Sequence, residues 1–139
     1  MPVRTAKAVW KDTLKKGAGA LELGSGSYKG KYTYASRFED GSGTNPDELI
    51  GAANAGCFSM ALALMLEEAG YTPKTIHTEA SVTLDAQQLA ITTIELRCVA
   101  EIPEIDESKF QEIAEQAKEG CPVSKALGGV DIRLEASLT

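Results

Sequence analysis

Four residues have the types that thiol chemistry needs: Cys57, Cys121, Arg37 and Glu48. A cysteine attacks as its thiolate, and a thiolate at neutral pH needs a nearby cation, a helix N-terminus or hydrogen-bond donors. Cys57 stands in GTNPDELIGAANAGCFSMALALMLEEAG, among small and apolar residues, where a free thiol is ordinarily a buried small hydrophobe. Cys121 lies between Gly120 and Pro122, at or beside a helix N-cap whose backbone N–H groups and dipole favour a thiolate. The same GCP run reads equally well as plain helix punctuation. Arg37, in ASRFED, placed beside Cys57 would favour its thiolate and hydrogen-bond an attacked oxygen; otherwise it is a solvated surface arginine. Glu48 has the carboxylate to grip that guanidinium bidentately, and is also placed as a capping-box residue.

Other candidates are weaker. Cys98 shares a strand face with Ile94 and Leu96 and reads as core. His77, the single histidine, falls on the polar face of a strand with no cue marking it as a general base. Zinc has no support, because the three cysteines and His77 lack ligand spacing. GSGSYKG lacks both the dinucleotide-binding glycine spacing and the phosphate-loop lysine, so it reads as a turn.

Elements must position these groups. Asn45 as cap, Pro46 at the first helical position and Gly70 as stop predict a long helix. Ile50, Ala53, Cys57, Met60, Ala61, Leu64 and Met65 recur at helical spacing, so the sequence predicts that Cys57 faces packed protein. Glu48 and Cys57 are nine residues apart, which at about 100° per residue sets them on opposite sides of one straight helix. An offset first turn or a second subunit would be needed to bring them together, and Gly51, Ala52, Ala53, Ala55 and Gly56 would let two such helices approach closely. Before this helix, short strands are predicted over 3–11, 17–23 and 31–36. After it, Ile76 to Leu84 and Thr92 to Ala100 alternate as an antiparallel pair. Asp106 caps a second helix ended by Gly120, a short helix begins at Pro122, and 130–138 alternates as a last strand. Strands in runs of three, two and one, interrupted by helices, indicate an α+β fold with antiparallel sheet.

Composition sets bounds. At 139 residues the chain is expected to be a single domain over 1–139. A net charge of −6 without a basic run argues against nucleic acid or an anionic membrane surface as partner. The run MALALML is too short to span a bilayer and the amino terminus lacks a signal-type apolar segment, so the expected location is cytoplasmic. Three cysteines without close pairing suit a reducing compartment.

Together RFED, GTNPDELIGAANAGCFSMALALMLEEAG and GCPVSKAL resemble the OsmC/Ohr family of bacterial thiol peroxidases over nearly the whole chain. The resemblance is to the OsmC branch, because Arg37 stands in the RFE segment whereas the Ohr branch carries its arginine nearer the amino terminus, where this chain reads LKKGAG. It implies an OsmC-like α+β fold, with two antiparallel three-stranded sheets around a long central helix, in an intertwined homodimer. It implies a peroxidatic role for Cys57, a resolving role for Cys121, thiolate activation and peroxide binding by Arg37, and orientation of Arg37 by Glu48. The cycle so implied reduces organic hydroperoxides, and hydrogen peroxide more weakly, through a Cys57 sulfenic acid and a Cys57–Cys121 disulfide. It serves oxidative or osmotic stress defence, uses no metal or organic cofactor, and is renewed by a dithiol reductant such as a lipoylated protein. Phe38, Phe58, Met60 and Met65 are available to line an apolar pocket or to fill the core. Two other readings use the same residues: a thiol redox sensor or binding protein, and a structural dimer with inert buried cysteines.

Overall fold

The computed structural model describes residues 1–139, whose contacts gather into two compact units, Met1–Leu49 and Ile50–Thr139. The expectation of one domain followed from length; the division falls inside one helix that belongs to both units.

The first unit is a meander of β1 (Ala6–Lys11), β2 (Ala18–Leu23) and β3 (Lys29–Tyr32), antiparallel in the order β1-β2-β3. Trp10 and Tyr32 meet edge to face across it, with ring centroids 5.2 Å apart. Both rings sit over Gly19, where a Cβ would come within 2.5 Å of Tyr32 and 2.6 Å of the Val9 carbonyl, so that position requires glycine. The third strand ends at Tyr32, earlier than the expected Ser36. Thr33 and Ser36 form a capping box that starts a short helix instead, α1 (Tyr34–Phe38), and Arg37 lies in it.

The long helix, α2 (Pro46–Glu68), begins as expected: the Glu48 N–H donates to Asn45 Oδ1 at 2.7 Å. It ends in a Schellman arrangement, with Gly70 at φ 93° and the Tyr71 N–H donating to the Leu66 carbonyl. The buried face differs from the predicted one. Asn54, Phe58, Leu62 and Leu66, four residues apart in succession, are fully buried, whereas Met60 and Leu64 are 76% and 54% exposed. This helix is apolar nearly all round, so spacing alone did not select the side that packs. Taken whole, it is also long and apolar enough to cross a bilayer, which the short run MALALML concealed; its buried ridge packs in the core of the second unit.

The second unit opens with the hairpin β4 (Thr75–Asp85) and β5 (Ala90–Glu101). The helices α3 (Glu107–Gly120) and α4 (Pro122–Ala126) then carry the chain to β6 (Asp131–Leu138), which pairs with β5 in parallel. The second sheet is therefore mixed, correcting the expectation of two antiparallel sheets. A strand reached through a helical crossover can return in the same direction as its neighbour, as a hairpin cannot. Register places Ala80, Leu96 and Leu134 in one row and Val82, Ile94 and Ile132 in the next. Phe58, Leu62 and Leu66 of α2 and Phe110, Ile113, Ala114 and Ala117 of α3 belong to the same core.

Candidate active site

Cys57 is half-buried at the edge of the packed ridge of α2, one helical turn beyond Asn54. Cys121 is fully buried, at the junction where α3 ends and α4 begins. Both lie in the second unit, close enough that ionisation of one thiol is felt by the other. The two sulfurs that the sequence singled out are thus brought together, while Cys98 is buried in the core beside Thr78 and pushed above the ordinary thiol range, first by burial.

The pair shares its protons unequally. Burial pushes Cys57 up, and so does the hydrogen bond its thiol makes to Cys121 and the charge that forms there; the Val123 N–H only partly offsets this. Burial also acts to raise Cys121. That effect is outweighed by hydrogen bonds from Cys57, from the Ser124 N–H and hydroxyl and from the Val123 N–H, which bring Cys121 below the ordinary thiol value. Within this unit charge on Cys121 therefore works against charge on Cys57. Replacing Cys121 by serine removes that charge, so the midpoint for Cys57 alkylation against pH is expected to move down from its wild-type value. A midpoint that stays in place or rises would show that the sulfurs titrate independently.

Asn54 completes this cluster and was not singled out by the sequence. Its Nδ2 donates to Ser124 Oγ at 3.0 Å and lies 4.0 Å from Cys121 Sγ, while its Oδ1 is buried without a partner. Such an orphaned acceptor costs about 1–3 kcal/mol. Only knowledge of the buried face of α2 makes the residue stand out, as the polar end of an apolar ridge.

Arg37 and Glu48 lie in the first unit, where Arg37 is paired with the neighbouring Asp47 and not with Glu48. Arg37 Nε and Nη2 donate to Asp47 Oδ2 and Oδ1 at 3.2 and 3.1 Å, a bidentate grip on a carboxylate that is 10% exposed. Glu48 instead accepts from Thr44 Oγ1 at 2.7 Å. The physical reason is the start of α2: Asn45 takes the Glu48 N–H and its Nδ2 donates to the Ser36 carbonyl, tying the cap to α1. Asp47, in the first helical turn, is the carboxylate directed at Arg37. Phe38 stacks on Tyr34 at 4.9 Å. Phe58 is fully buried core, Met65 packs partly buried against the core, and Met60 is exposed, so only some of the apolar residues foreseen around a thiol are free to line a pocket.

No group of three or more histidine, cysteine, aspartate or glutamate side chains is arranged to hold a metal ion. His77 is exposed on the outer face of β4.

The family profile described as OsmC-like protein matches residues 39–135. The chain is 48% identical over 127 residues to peroxiredoxin OsmC of Escherichia coli, covering 89% of each protein. It is 34% identical over 99 residues to the organic hydroperoxide resistance protein OhrB of Bacillus subtilis, covering 70% of this chain and 72% of that one. The crystal structure of the same OhrB superposes with a TM-score of 0.67 at 28% identity, over 95% of this chain and 97% of that one.

Proposed function

The chain belongs to the OsmC branch of the OsmC/Ohr family, and from that premise we propose how it, as a cysteine-based peroxidase, reduces hydroperoxides. Cys57 as thiolate attacks one oxygen of the O–O bond, giving up an electron pair; the bond breaks, the alkoxide departs and takes a proton, and Cys57 is left as a sulfenic acid. Cys121 as thiolate then attacks the Cys57 sulfur, hydroxide leaves, and a Cys57–Cys121 disulfide forms. A dithiol, of the kind a lipoylated protein carries, reopens it by exchange and restores both thiols.

One observation supports this division of roles above the others: two neighbouring thiols of unequal access. Cys57 is partly open to an incoming peroxide, and Cys121 is sealed, so it can react readily only with its neighbour. The low-lying proton of Cys121 suits the second attack. The first attack requires charge on Cys57, and the cation proposed for that role is Arg37, fixed by Asp47 in place of Glu48. Organic hydroperoxides are the proposed preferred substrates. Homodimerisation is proposed on the exposed small and apolar residues Ala52, Ala53, Gly56, Met60 and Leu64 of α2, and a cytoplasmic location on three cysteines whose number and spacing do not suit a structural disulfide framework.

One molar equivalent of cumene hydroperoxide, followed by alkylation and non-reducing peptide mass mapping, tests the cycle. The expected product is a Cys57–Cys121 disulfide with Cys98 still alkylatable after unfolding. A stable Cys57 sulfenic acid, or a disulfide through Cys98, would overturn it.

A further inference from the structure

The ridge on which α2 packs is apolar except at one place. Phe58, Leu62 and Leu66 are fully buried at successive four-residue intervals, and the next position toward the helix start is Asn54, equally buried. A leucine there would complete the ridge. The asparagine instead leaves Oδ1 buried and unpartnered, an arrangement a packed core disfavours unless the group is used. Its other amide atom is directed at the start of α4, donating to Ser124 Oγ at 3.0 Å and lying 4.0 Å from Cys121 Sγ. The residue one turn further along α2 is Cys57. Asn54 therefore stands on the same helix as one reacting sulfur and is bonded to the short segment that carries the other.

We propose that Asn54 is a positioning residue for the disulfide-forming step, holding Ser124 and the Cys121 thiolate against the Cys57 sulfur. This rests on the cysteine cycle proposed above. Disulfide closure requires Cys121 Sγ to approach Cys57 Sγ along the line of the departing hydroxide, and Cys121 belongs to a loop junction with no side-chain cap of its own at α4. The Asn54 amide fixes that junction to α2. Its Nδ2 also lies 4.0 Å from the sulfur that carries negative charge as it attacks, and Ser124, whose neighbourhood favours that charge, is held by the same amide. The orphaned Oδ1 follows from this choice of orientation, because an amide that donates toward α4 turns its oxygen into the core.

The test separates the two chemical steps in single turnover. Sulfenic acid formation and disulfide formation are followed after mixing reduced protein with one equivalent of cumene hydroperoxide, in wild type, Asn54→Leu and Asn54→Asp. Leucine restores an apolar ridge of similar volume, and aspartate keeps the shape while removing the N–H donors. Both variants are expected to lower the rate of disulfide closure relative to sulfenic acid formation by roughly tenfold or more, so that the sulfenic acid accumulates and is trapped by dimedone. A residue with only a packing role would leave that ratio where it is in wild type, and this result in both variants would overturn the proposal. Ser124→Ala cuts the same link from a half-exposed position. It is expected to shift the ratio in the same direction, and decides the matter if the Asn54 variants do not fold. Wild-type protein that forms no disulfide at all would instead refute the cysteine cycle.

Discussion

Reductant-supported turnover of cumene hydroperoxide falls by a factor on the order of a thousand or more when Cys57 is replaced by serine. The serine hydroxyl occupies almost the same place, but an alcohol is not ionised to any useful extent at neutral pH and forms no stable sulfenic-acid equivalent. Cys121 does not substitute for it, because its sulfur is sealed from solvent. Cys121→Ser is expected to behave differently: one equivalent of peroxide is consumed, and then the protein stalls, because no second thiol can close the disulfide. Cys98→Ser provides the contrast, since that thiol is buried among Ile94, Leu96 and Ala136 and held protonated by burial. Stopped-flow peroxide consumption with a dithiol reductant distinguishes the three. Full turnover in Cys57→Ser would refute the peroxidatic role outright.

The strands of the second unit were legible in the sequence because each alternates polar and apolar residues with one face in the core, and the start signals at Asn45, Asp106 and Pro122 each fell where the helices begin. Three features were not legible, each for a separate reason. The turn from strand to helix at Thr33 depends on a side-chain exchange with Ser36 that competes locally with strand pairing in a segment, KYTYAS, suited to both. The packing face of α2 could not be chosen because small and apolar residues surround the helix; that ambiguity placed Met60 and Leu64 on the wrong side and hid Asn54. The direction of β6 depends on the crossover through α3 and α4, and the alternation of a strand is the same whether its neighbour runs parallel or antiparallel. The cysteines were found because their type is rare and their neighbours few. Which carboxylate holds Arg37 was not legible, because Asp47 and Glu48 are adjacent and only the geometry of the cap separates them within one chain.

That separation makes the second large prediction. Asp47→Asn is expected to lower kcat/KM for organic hydroperoxide by about 10- to 100-fold, a loss of roughly 1.4–2.7 kcal/mol in transition-state stabilisation. The change keeps the side-chain shape but turns one of the two oxygens facing Arg37 into an amide nitrogen, which meets a guanidinium N–H with another donor. An arginine released from a bidentate grip samples many rotamers, and in the activating role proposed for Arg37 a wandering cation no longer favours charge on Cys57. The alkylation midpoint of Cys57 is therefore expected to rise in Asp47→Asn, as it should in Arg37→Ala. Glu48→Gln sets the scale for comparison. Glu48 is exposed and its one contact, the Thr44 hydroxyl, can be accepted equally well by an amide oxygen, so activity and midpoint should stay close to wild type. Measured side by side, the two variants decide which carboxylate positions the guanidinium. A larger loss in Glu48→Gln than in Asp47→Asn would return Arg37 to Glu48 in the working enzyme and reduce the Asp47 pair to a contact of the isolated chain.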